Sequence, residues 1–487
     1  MAHIRLRATM LADPATARQQ LSSLIEGLAE EFVRLSDDLW DHPETRYRED
    51  RSCAAHVAVA QRHGFRITPA AADIPTAFIA EAGMAGPVIA ILGEYDALPG
   101  LSQQAGATQQ IPLTPDGPGH GCGHNLLGAG ALLAATALAR WLERSGLPGR
   151  VRYYGCPAEE GGSGKTFMVR AGCFDDVDAA LTWHPGSLTG IIPSRSLANI
   201  QAYVRFHGRA SHAALSPEMG RSALDALELT SVGVQYLREH LPQHARLHGT
   251  ILSTNPAPNV IPDHAEAIWL IRSAEQGDLA DIFERFADVA KGAGLMTGTR
   301  LELEFDKACS ALLRNGGMDQ LLHEELQALP TPGHSPDDAA FAAGIRATLR
   351  DADIAAAYRF LGAQVPETAP ILHDGVMPLP DPGTLFPGST DVGDVSWCAP
   401  LSQCFVASHV CGTPLHSWQL VAQGKSAIAH RSMRRAAQAL ASAGARLFCD
   451  EALLAAVVAE HRASLSRQAY LCPIGPEVAL PFLRHRR

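Results

Sequence analysis

Three short apolar runs constrain this chain most, because each ends in polar residues able to do chemistry. Pro87–Gly93 leads to Glu94 and Asp96, Val151–Cys156 to Glu159 and Glu160, and Ala179–Trp183 to His184. Short apolar runs bounded by turn signals read as buried strands. Buried strands with functional groups outside their carboxyl ends are expected of an open α/β sheet. The Ala/Leu-rich stretch Asn125–Ser145, between the first two runs, reads as a long helix. Leu21, Leu24, Ile25, Leu28, Phe32, Leu35 and Trp40 repeat at helical spacing over 21–40.

The pattern changes near residue 197. Ile200–His207, Gly249–Thr254, Ala265–Ile271 and Thr299–Phe305 read as strands, and Arg221–His240 and Asp278–Gly292 as helices. That order, β-α-β-β-α-β, is the split arrangement of a ferredoxin-like sandwich. The expected fold is α/β, a central mixed sheet with helices on both faces, plus an inserted ferredoxin-like α+β domain. The expected divisions are 1–196 and 310–487 for the two parts of a catalytic domain, with the insert at 197–309. Residues 330–390 are rich in Pro, Asp and Gly, with a helix expected within Asp337–Phe360. Gly388–Trp397 is Gly-punctuated and reads as a loop. Gln419–Cys449 reads as the last long helical pattern.

A chain of 487 residues has length for two domains. Its formal net charge of −11 argues against nucleic-acid binding, and the basic Arg484–Arg487 end is read as a frayed tail. Met1–Gln20 lacks the uninterrupted apolar core of a signal peptide, and no run is expected to approach the roughly 20 apolar residues of a membrane span. Ten cysteines scattered over so long a chain do not suggest a disulfide scaffold. A cytoplasmic protein is expected.

The adjacent carboxylates Glu159 and Glu160 can divide two tasks, one holding a metal and the other moving protons. Cys122 and His124 sit in the Gly-rich run His120-Gly-Cys-Gly-His124, where glycine lets both side chains turn to one point. With His184 they supply the thiolate, imidazole and carboxylate donors that transition metals favour. Gly161–Thr166 imitates the end of a phosphate-binding loop, but Glu159 stands where that loop needs its first glycine. No GxSxG and no His-Glu-x-x-His is present, so neither a serine-hydrolase elbow nor a zinc helix is supported.

These residues resemble the M20 metallopeptidases, in their amidohydrolase branch of N-acyl-amino-acid hydrolases. The resemblance is carried by Gly93-Glu-Tyr-Asp-Ala-Leu-Pro99, His120–His124, Pro157-Ala-Glu-Glu160, Trp183-His-Pro185, Gly208-Arg-Ala-Ser-His212 and Asn259-Val-Ile-Pro262. Glu160–Lys165, Gly388–Trp397 and Gly412–Gln419 are similar to the B-type subgroup of p-aminobenzoyl-glutamate hydrolases. The resemblance implies two divalent metal ions, zinc or manganese, held by Cys122, His124, Glu160, His184 and His416. It implies Glu159 as general base, Asp96 as a support behind the ligands, and His212 as stabiliser of the oxyanion. Asn259 and Arg272 match positions that hold the substrate's carbonyl or carboxylate. The implied substrate is an N-acyl or N-aroyl amino acid, aminobenzoyl-glutamate-like or indole-acyl-aspartate-like. The implied assembly is a homodimer, or a pair with a homologous subunit, made through the inserted domain, which would also serve as a lid.

Taken without the resemblance, His184 reads equally as a loop histidine, His212 and Arg272 also read as surface residues, and His416 is not singled out. Glu94-Tyr-Asp96 stands where the peptidase members carry His-x-Asp, which favours acyl-amino-acid hydrolysis over dipeptide cleavage. A di- or aminopeptidase and a non-catalytic partner subunit are the competing readings.

Overall fold

The computed structural model describes residues 13–484 except Ser194 and Pro256; Met1–Ala12 and the basic His485–Arg487 lie outside the described residues. The chain divides into two compact units. The first comprises residues up to Arg195, Leu313–Phe386 and Val395–Tyr470; the second comprises Ser196–Leu312, Pro387–Asp394 and the end from Leu471.

The first unit is built on a seven-stranded mixed sheet. Its strands are β1 (Arg66–Pro69), β2 (Phe78–Ala85), β3 (Val88–Glu94), β4 (Gly149–Cys156), β5 (Ala179–Gly186), β6 (Gly190–Ile191) and a late strand, Leu401–Ala407. They lie in the order β1-β2-β4-β3-β5-late strand-β6. The four central strands are parallel and the outer pairings antiparallel. The central strands are buried at nearly every residue, so both faces of the sheet are covered.

Helix Pro14–Asp41 begins where Asp13 accepts the Thr16 N–H at 3.0 Å and Pro14 takes the first turn. Its stripe Leu21, Ile25, Leu28, Phe32, Leu35 and Leu39 is buried against helix His124–Ser145. By length and composition that second helix could cross a membrane, contrary to the expectation that no run approaches a span. Most of it is buried inside the first unit, because sheet and helices surround it. Glycines let it lie close to the sheet: a Cβ on Gly128 would stand 2.4 Å from the Glu94 carbonyl oxygen, and one on Gly130 2.9 Å from Trp183.

The second unit has β7 (Ala198–His207), β8 (Arg246–Thr254), β9 (His264–Ser273) and β10 (Arg300–Cys309), with helices Ala223–Arg238 and Gln276–Thr297. Its antiparallel order β10-β7-β9-β8 is the ferredoxin-like arrangement. The late strand of the first unit is β11.

Several element expectations need correction. Gly388–Trp397 is not all loop, since Val392–Cys398 is helical. Gly393 is there for close approach, because a Cβ would stand 2.0 Å from the Ser310 carbonyl oxygen. Gln419–Cys449 is two helices, Trp418–Gln423 and Ala427–Cys449; Ser426 caps the second by accepting the Ala429 N–H at 3.1 Å. Nor is it the last long helix, for Glu451–Arg467 follows. Only Val457, His461 and Ser464 are buried there, too few to mark an apolar stripe. The expected helix in Asp337–Phe360 is two, Pro336–Arg346 and Asp351–Phe360.

The close helix–sheet contact predicts that Gly128→Ala destabilises the protein by about 1–3 kcal/mol through overpacking. Gly27, with nothing within 4 Å of an added Cβ, should instead gain about 0.5–1 kcal/mol on replacement by Ala in its helix. Thermal unfolding of the two variants against the parent checks the opposite signs.

Candidate metal centre

The candidate donors of the first unit gather at the carboxyl ends of β3, β4 and β5, with His184 inside β5 itself, and in the loop beyond β11. Cys122 lies in the loop entering helix His124–Ser145, and His124 is that helix's first residue. Gly123 takes φ 76°, and a Cβ there would press on Pro185 at 3.0 Å. Glu159 and Glu160 leave β4 through Ala158, at φ 59°, and His416 sits at φ 57°. Left-handed backbone at non-glycine residues is uncommon and concentrates at functional sites. The His416 N–H donates to the Gly121 carbonyl at 2.8 Å, which ties its loop to that of Cys122.

The side chains converge. Donor atoms of Cys122, His124 and His184 lie within 4.8 Å of one another, as do those of Cys122, Glu160 and His416, and of Glu94, His124 and Glu159. Cys122 Sγ is 3.4 Å from His184 Nε2, and His416 Nε2 is 3.2 Å from Glu160 Oε1. Outer contacts aim the rings. His124 Nδ1–H donates to Asp96 at 2.9 Å and His184 Nδ1–H to the Pro185 carbonyl at 2.8 Å, so each turns Nε2 toward the cluster. Asp96 also accepts the Glu160 N–H at 2.8 Å.

Burial and charge act together here. Burial and the charge of Glu160 push the Cys122 thiol well above its usual range. Burial and the neighbouring His124 hold His184 neutral, with its pKa lowered to about 3. Burial works to raise Glu160, but its hydrogen bond with His416 and the charge of His124 outweigh it and hold the carboxyl at about 2. Burial likewise opposes charge on His124, yet Cys122 and Asp96 raise it well above the ordinary histidine value. His124 Nε2 is buried and makes no hydrogen bond. A buried ring nitrogen whose nearest charged neighbour is a carboxylate oxygen out of hydrogen-bond geometry, among a thiol, imidazoles and carboxylates, fits a divalent cation, which favours thiolate and neutral imidazole.

Two buried residues behind this cluster, Lys165 and Glu49, escaped the sequence reading of the site, and Glu94, noted at its strand end, was given no role there. Lys165, in the stretch set aside as a false phosphate loop, points inward and pairs with Glu94 at 2.6 Å; both side chains are at most 1% exposed. The other Glu94 oxygen is 3.3 Å from His124 Nε2. The place of Glu94 beside Asp96 follows from strand geometry, since residues two apart share a face. Glu49 accepts the N–H groups of Tyr47 (2.8 Å) and Ala158 (2.9 Å) and the Thr76 hydroxyl (3.0 Å). It braces the turn that carries Glu159, and burial with the charge of Asp96 pushes its carboxyl up to about 8. No local sequence signal marks it.

The remaining candidates belong to the second unit. His212 is exposed, and its Nδ1 accepts the Ala214 and Leu215 N–H groups at 3.1 Å each, leaving Nε2–H as an outward donor. Asn259 lies beside it, its carbonyl accepting the Ala213 N–H at 3.0 Å. Arg272 lies elsewhere, near the far end of β9 and paired in register with Asn199 and Arg246. His212 and Asn259 are thus together, while Arg272 is at the opposite end of the sheet.

The buried pair gives a stability prediction. Lys165→Met strands the Glu94 charge and should cost about 3–5 kcal/mol, and adding Glu94→Gln should recover most of it. Chemical denaturation of the single and double variants measures both effects.

Comparison with known proteins agrees with the fold. Residues 90–417 match peptidase family M20/M25/M40. The chain is 47% identical over 469 residues to the B-type subunit of p-aminobenzoyl-glutamate hydrolase from Escherichia coli, covering 94% of this chain and 97% of that one. It is 31% identical to the Xaa-Arg dipeptidase of Mus musculus over 61% of this chain and 70% of that one. Among solved structures, a dinuclear metal-binding M20 peptidase of Bacillus subtilis superposes with a TM-score of 0.54 at 18% identity, over 87% of this chain and 99% of that one. The chain belongs to peptidase family M20/M25/M40 and is a hydrolase of amide bonds.

Proposed function

We propose that this protein is a metal-dependent amidohydrolase that splits an N-acyl or N-aroyl amino acid into a carboxylic acid and a free amino acid. The observation that carries the reading is the convergence of Cys122, His124, Glu160, His184 and His416, with Glu159 beside them. These five residues would hold two divalent ions, which when bound polarise a carbonyl and lower the pKa of water. The thiol favours zinc, whereas the imidazoles and carboxylates also accept manganese.

The protein's own groups would do the rest. Glu159 takes the proton of the attacking water on its carboxylate and passes it to the leaving nitrogen. Asp96 holds the His124 ring and the Glu160 turn in place. His212 Nε2–H, fixed as a donor by the two bonds at Nδ1, donates to the oxyanion with help from Asn259. Arg272 pairs with the carboxylate of the amino-acid half. The Escherichia coli relative's name supports an aroyl-glutamate substrate. The ten cysteines are scattered along a long chain rather than clustered as a disulfide framework, which supports a reducing, cytoplasmic location.

The second unit supports a partner subunit. From His264 to Arg272 the β9 strand spans about 26 Å at roughly 3.3 Å per residue, so Arg272 and His212 of one chain are poorly placed for one substrate. Edge strand β8 is exposed at all but one residue, and Leu229, Val232 and Tyr236 of helix Ala223–Arg238 are exposed at 37%, 52% and 68%. We assign this face to a second copy or a homologous subunit.

The dipeptidase relative keeps peptide cleavage as the second reading. With metal supplied, the purified protein should hydrolyse 4-aminobenzoyl-glutamate and N-blocked dipeptides in preference to free dipeptides. Glu159→Gln should lower kcat by about 10²–10⁴-fold with unchanged metal content by plasma emission spectrometry. Retained activity would remove Glu159 as the base, and a preference for free α-amines would favour the peptidase. Sedimentation velocity should give a dimer, which Val232→Asp dissociates; a monomeric parent protein would leave self-pairing without support.

A further inference from the structure

The amide-hydrolase reading leaves the acyl group open, and a cavity of about 270 Å³ in the first unit bears on it. That volume lies near the lower end of the ~300–1,000 Å³ typical of small-ligand sites. One wall is Gly186 and Leu188, directly after His184-Pro185, and another is Pro414 and Leu415, directly before His416. The cavity therefore adjoins two of the candidate metal ligands by covalent connection. Phe405, on β11, forms part of the lining and meets the His184 ring edge-on, with centroids 5.5 Å apart.

We propose that this cavity seats the acyl half of the substrate and selects a neutral, planar aromatic acyl group. The inference rests on the amide-hydrolase reading and names its substrate class. Phe360, also in the lining, packs against Phe405, with ring centroids 5.4 Å apart and planes tilted by 48°, and Phe386 buttresses Phe360 at 4.5 Å. Aromatic rings favour offset and edge contacts with one another, so this pair offers a flat ring faces and edges together. The charge of the lining points the same way. Asp353 carries the lining's one carboxylate, and the Arg350 guanidinium already holds it at 2.7 and 3.0 Å. The lining has no lysine or arginine, so it offers nothing to the anionic amino-acid half. His409 also lines the cavity, at 3% exposure. Its ring nitrogens can hydrogen-bond a polar ring substituent. Ala357 keeps the space open, and a bulky side chain there would fill it.

The test uses the full-length, metal-loaded protein and the variants Ala357→Trp and, as a milder filling, Ala357→Leu, each checked for folding by circular dichroism. Calorimetric titration with 4-aminobenzoate should show binding to the parent, weakened at least tenfold in Ala357→Trp. The ratio of kcat/KM for 4-aminobenzoyl-glutamate to that for N-acetyl-glutamate should also fall at least tenfold. No binding to the parent, or unchanged binding in either folded variant, overturns the pocket assignment. If the parent hydrolyses the substrates and the ratio does not move, the pocket fails while the hydrolase reading stands. If no substrate is hydrolysed but the variant loses binding, the hydrolase reading fails and the pocket stands.

Discussion

The Asp96 carboxylate is the contact on which the candidate centre depends. One oxygen takes the His124 Nδ1–H and the other the Glu160 N–H, so one buried group fixes both the start of a long helix and the turn after β4. Two bonds through one side chain set the ring tautomer of one candidate ligand and the backbone of another. Glu49 performs a similar service one layer back, holding Ala158 in its left-handed conformation. The carboxylates around the cluster thus divide between those that face a cation and those that aim the ones that do.

Such a concentration of acids in a dry interior is tolerable only when it is compensated. Lys165 answers Glu94, His416 answers Glu160, and the backbone N–H groups answer Glu49. His124 Nε2 is left without a hydrogen bond. A cation among these donors would relieve the burial of Cys122 as well, because it stabilises the thiolate that burial alone disfavours. The resemblance to phosphate-binding loops in Gly161–Thr166 has a physical explanation in the same terms: its lysine points into the protein as a counter-ion for Glu94.

Much of the architecture was legible because it is written in local periodicity. The β3, β4 and β5 runs are apolar and short, and the second unit alternates clearly enough to show β-α-β-β-α-β. What was illegible was decided by distant partners. β11 carries the buried polar residues Ser402 and Gln403, the first bonded to Asp319, which hid it as a strand. The Val392–Cys398 helix carries a glycine that the sequence alone marks as a breaker, yet the glycine is needed for contact with Ser310.

The candidate site divides along the same line. By itself the sequence determined the donor types, Cys122 with His124 and Glu159 with Glu160, and their places at strand ends, since turn glycines and apolar runs act over a few residues. Only the tertiary structure decided that Glu94 meets Lys165, that Glu49 braces Ala158, and that Phe360 and Phe405 pack together in the wall of a cavity beside His184. These contacts join residues far apart in the chain, and their energy comes from desolvation and shape in a packed interior, which no local pattern records.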